Sequence, residues 1–170
     1  MKHVSFSAQN FIDEKVLGEL KRLRIPPSPL ADDAEFFRRV HLDVTGRLPS
    51  PERVRAFLAE PLSAGKRARV IGELLASPAF VDFWTLKLAD LLVISSKKMG
   101  DAGAKAYHGW LREQIAANAP FDRTVRALLT ATGDTTQHGP ANFFGVANDP
   151  RDLGEFVSQT FLGMRVACAR

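Results

Sequence analysis

A chain of 170 residues, 45% hydrophobic and 25% charged, is sized for one domain and can bury roughly 70% of its unfolded surface. That balance excludes disorder over the whole length, and no apolar run approaches the ~20 residues of a membrane span. The net charge of +4 and the basic pI raise a nucleic-acid partner. Basic residues are scattered among acidic ones, however, and the densest cluster, Lys66, Arg67 and Arg69, lacks the interleaved aromatics of a single-strand platform, so no nucleic acid is expected.

Met1 to Gln9 has no apolar core of a signal peptide and reads as a flexible lead-in. Ile12, Val16, Leu20 and Leu23 then form one helical stripe, stopped by Pro26, Pro27 and Pro29. Asp32 with Glu35 marks the next helix start, followed by Phe36, Phe37, Val40 and Val44, and Gly46 with Pro49 ends it. Ser50-Pro51 and Ser77-Pro78 repeat one signal, a capping serine with proline at the first helical position. Between them lie a short helix buried through Val54, Phe57 and Leu58 and another with Val70, Ile71, Leu74 and Leu75. The helix after Pro78 carries Phe80, Trp84, Leu88, Leu91 and Leu92.

Residues 95–103 read as a polar loop. Tyr107, Trp110, Leu111 and Ile115 mark a sixth helix, and Phe121, Val125, Leu128 and Leu129 a seventh. The hydroxyl, glycine and proline content from Thr130 to Asp149 predicts a loop, and Leu153, Phe156, Val157, Thr160, Phe161 and Met164 a last helix. No run alternates with a period of two. The expectation is an all-α fold, one irregular domain over residues 1–170 with about eight helices.

No catalytic constellation stands out. His3, His41, His108 and His138 have no spacing that sets two ligands on one helix face, and no metal site is expected. Asp43 is expected to accept hydrogen bonds from the Thr45-Gly46 turn, and Asp90 to serve as a buried salt-bridge or capping partner. The stretch T-A-T-G-D-T-T from Thr130 to Thr136 lacks the pattern and lysine of a phosphate loop. Cys168, the single cysteine, excludes an internal disulfide.

The ordered series N-F-I-D (Asn10 to Asp13), I-P-P-S-P (Ile25 to Pro29), R-R-V-H-L-D-V-T-G-R-L-P (Arg38 to Pro49) and L-L-A-S-P (Leu74 to Pro78) continues through Trp84, Lys87, Ala89 and Asp90. P-F-D (Pro120 to Asp122), L-L-T-A-T-G (Leu128 to Gly133) and F-L-G-M-R-V-A-C-A-R (Phe161 to Arg170) complete it. The whole resembles the planctomycete cytochrome-C-type domain of unknown function. In that family the last segment continues into C-x-x-C-H, the attachment pattern of c-type haem. The resemblance implies that Cys168 is the first cysteine of that motif, which these residues leave incomplete. It further implies a longer, exported parent working outside the cytoplasm, with other domains of the same polypeptide as partners and a c-type haem for electron transfer. His41, His108 and Met99 are the candidates for a second axial ligand. For the 170 residues alone, neither a cofactor nor an activity is expected. The alternative is a structural or interaction module of a cell-surface protein with no redox role.

Overall fold

The protein is described by a computed structural model, which covers residues 7–8 and 10–166. The proposed lead-in therefore lies outside the described residues apart from Ser7 and Ala8, and so does Cys168. Every regular element among the described residues is helical, as the 3.6-residue periodicity predicts. They fall into two compact units, one of residues up to Arg39 with Pro49–Pro61, the other of Val40–Leu48 with the chain from Leu62 onward.

The first unit holds α1 (Phe11–Arg22), α3 (Pro51–Ala59) and the first half of α2 (Asp33–Thr45). Local chemistry starts each helix. The Asn10 side chain accepts from the amides of Ile12 and Asp13, Asp32 accepts from Glu35 N at 2.8 Å, and Ser50 from Arg53 N. Acids in the first turn of α1 and bases in its last complement the helix dipole. Phe37 and Phe57 stack at 4.3 Å with both rings buried, and this aromatic pair ties α2 to α3. The apolar stripe of α1 is mostly uncovered. Ile12, Val16 and Leu23 are more than half exposed, and no residue of α1 is buried.

The second unit contains the rest of α2, then α4 (Lys66–Leu75), α5 (Pro78–Leu91), α6 (Ser96–Ala116), α7 (Phe121–Leu129) and α8 (Pro150–Leu162). Its core gathers Ala89, Leu92, Tyr107, Leu111, Leu128 and Phe143. On α5 the buried residues are Thr85 and Ala89, not the larger Trp84 and Leu91 of the apolar stripe, which remain more than a third exposed. Thr85 is compatible with burial because its hydroxyl donates to Val81 O at 2.6 Å one turn back.

Two predicted loops are structured. Residues 96–99 belong to α6, which is interrupted at Gly100, where φ is 71° and ψ 165°. Within Thr130–Asp149 lies a 3-10 helix, Gly139–Val146, of which six residues are buried. Phe143 is fully buried against Phe156 and Phe161, with ring centroids 5.9 and 6.0 Å away. Asn142 holds the segment by donating to Thr135 O and Gly139 O, and Lys98 Nζ donates to Val146 O at 2.6 Å. Gly139 is required by close approach: a Cβ there would lie 2.5 Å from Ala106 O and 2.7 Å from Trp110 Cβ.

Helix ends are equally specific. α1, α5, α6 and α8 close on a residue of positive φ, respectively Arg24, Val93, Asn118 and Gly163. In each case the following amide bonds back to the last turn, as Ile94 N does to Ala89 O at 2.9 Å. Val93 is the unusual member, since a β-branched residue in this region costs about 1–2 kcal/mol. Gly46 ends α2 at φ 67°, and a Cβ would come within 2.4 Å of the Phe83 ring. Positive φ and contact with that ring both demand glycine.

Candidate functional site

The sequence-derived candidates do not converge. His41 is buried in α2, His108 is exposed on α6, and Met99 is partly buried against the core cluster. Met164 lies beyond the end of α8 and is 54% exposed. His3 and Cys168 fall outside the described residues. Among the described residues no three His, Cys, Asp or Glu side chains come together as a metal site.

The expectation for the two aspartates needs correction. Asp43 and Asp90 are both exposed. The Thr45 hydroxyl donates to His41 O at 2.7 Å, and Gly46 N bonds to Leu42 O, so the helix's own carbonyls satisfy the turn that was expected to need Asp43. Asp134 in the hydroxyl-rich stretch has a structural role: its Oδ1 accepts from the amide and hydroxyl of Thr136, both at 2.8 Å. Those bonds, the amide first, hold its carboxyl below the usual range.

Several grooves mark the described surface of the second unit. One of about 520 Å³ runs over α6, floored by Ala106 and Gly109 and edged by Trp110, Glu113 and His138. Its polar groups are exposed, and no nucleophile–base pair lies among them. A smaller groove of about 170 Å³ lies beside Trp84, Phe80 and Phe121. The third, about 440 Å³ and mainly apolar, lies between α7 and the end of α8, with Phe121, Val125, Leu129, Phe161 and Leu162 on its walls. Periodicity found four of these residues, Phe121, Val125, Leu129 and Phe161, as helix stripes, and did not single out Leu162. Sequence does not show that Phe121, Leu129 and Leu162 stay exposed among the described residues.

No described helix is long and apolar enough to cross a membrane. What the fold and its surface define is an all-helical domain with apolar grooves and no assembled catalytic or metal centre among the described residues. Residues 11–170 match the PSCyt2 family, described as protein of unknown function (DUF1549), and the chain belongs to that family. No curated protein and no solved structure matches it.

Proposed function

We propose that this chain is the helical part of a cytochrome-c-like domain that serves haem-linked electron transfer in a longer, exported polypeptide. Cys168 would be the first of the two thiols that hold the porphyrin. The observation that carries this reading is the ordered run of family-like motifs ending in F-L-G-M-R-V-A-C-A-R, whose Cys168 stands where the resemblance implies the first thiol of an attachment pattern.

Covalent c-type haem needs two thioether bonds and an imidazole beside the second thiol. Of this set the 170 residues carry Cys168 alone, and their other potential ligands are His41 on α2 and Met99 and His108 on α6. Met99 is moreover engaged by the core. These residues do not by themselves fit the group, and no redox step is assigned to them. Their part is that of a scaffold: α8 is stopped at Gly163, and the chain beyond it leads to the cysteine. The native partners are then the other domains of the polypeptide, in an extracytoplasmic setting where covalent haem attachment takes place.

The test compares the 170-residue chain with one extended by its native residues, both exported in a host with the haem-maturation machinery. A pyridine haemochrome spectrum and intact mass should show haem on the extended protein alone. A colourless extended protein whose sequence completes C-x-x-C-H sinks the cytochrome reading. The second reading, an interaction module without redox function, is favoured by the exposed apolar walls of the α7–α8 groove and would then stand in its place.

A further inference from the structure

We propose that the α7–α8 groove is a self-association face on which a second copy of this chain docks, α7 against α7, antiparallel about a twofold axis at Val125. Phe121, Val125 and Leu129 recur at every fourth position and so form one stripe along α7. Phe121 is 56% exposed, Leu129 40% and Leu162, across the groove on α8, 64%. Thr124 and Leu128 already bury the inner face of α7, so this stripe is apolar surface in excess of what the core uses.

The charges beside the stripe select the occupant. Asp122 and Arg126 also line the groove, four residues apart on the neighbouring row, and neither forms an ion pair with another described residue. An isologous pair repeats one patch on both copies, so each residue must find its complement in the same patch. With the axis at Val125, Phe121 meets Leu129 of the second copy and Val125 meets its own equivalent. Asp122 then comes within about 3 Å, measured along the helix axis, of Arg126 of the second copy. Apolar and charged rows are thus self-complementary in one register. A patch of roughly 400–500 Å² is as large as the largest apolar patch on a typical monomer. Pairing two would bury about 800–1,000 Å², less than a stable specific interface and in the range of weak, transient encounters, so the dimer is weak and concentration-dependent.

Sedimentation velocity of the 170-residue chain from roughly 5 to 500 µM reads the equilibrium directly. The mass should rise from the 18.7 kDa monomer toward twice that value. Asp122→Arg and Arg126→Asp should each raise the dissociation constant by about tenfold or more, because each sets like charges face to face. The double swap Asp122→Arg with Arg126→Asp should restore dimerisation, and circular dichroism of all variants checks that α7 still folds. A chain that stays monomeric throughout overturns the proposal and leaves the groove to another segment of the polypeptide or to a different protein. A dimer indifferent to both single reversals, or folded single variants not rescued by the double swap, overturns it equally.

Discussion

Tyr107 carries its hydroxyl into the core, where it finds no hydrogen-bond partner among the described residues. An unpaired buried hydroxyl costs about 1–3 kcal/mol of lost solvation, so Tyr107→Phe should leave stability unchanged or raise it by about 1 kcal/mol in denaturant melts. Burial also pushes the phenol's pKa well above its ordinary value near 10. The folded state therefore keeps the proton while the unfolded state releases it. Stability is fully present below about pH 10 and is lost as pH rises further through the folded pKa. Because the chain has a single tyrosine, tyrosinate absorbance in an alkaline titration should appear together with unfolding. Ionisation near pH 10 with the fold intact would contradict the burial. Little of this was legible in sequence: the spacing of Tyr107 and Leu111 indicates an inward face but not a missing partner. The converse failure is Asp43 and Asp90, read as satisfied buried acids and found exposed.

Helix starts were legible because capping is local. Asp32, Ser50 and Ser77 each bond an amide three residues on, and sequence contains everything that contact needs. Which face of a helix is covered depends on distant segments, and there the reading failed. Small residues let α5 bury Thr85 and Ala89 while Trp84 stays partly outside, and the apolar stripe of α1 is covered only in part, at Leu20. The 3-10 helix Gly139–Val146 was missed for a related reason: its glycine and proline resemble loop punctuation, and its burial is fixed by α6 and α8. Phe143→Ala tests that element. A loop substitution would change stability by less than about 0.5 kcal/mol, whereas loss of this fully buried ring should cost on the order of 3–5 kcal/mol in urea unfolding. A value near zero would remove the segment from the core.

At the scale of the whole molecule, the all-helical class followed from periodicity, and family membership agreed with the ordered motifs. The candidate site was legible only as composition: all its apolar residues but Leu162 were found, their exposure was not. The 3-10 helix has a further consequence at this scale. Residues 132–138 ahead of it are all exposed, the setting in which proteases cut folded chains. Downstream of that stretch, Phe143, Phe156 and Phe161 are joined in one aromatic contact set, and Lys98 reaches Val146 from the other side of the cut. Limited digestion at 132–138 should therefore yield two polypeptides that co-elute as one particle and separate only in denaturant. Mixed again after denaturant is removed, they should reassemble, so that this chain behaves as a split protein whose smaller piece carries its own share of the core; pieces that part in native buffer would show that covalent continuity, not packing, holds that end in place.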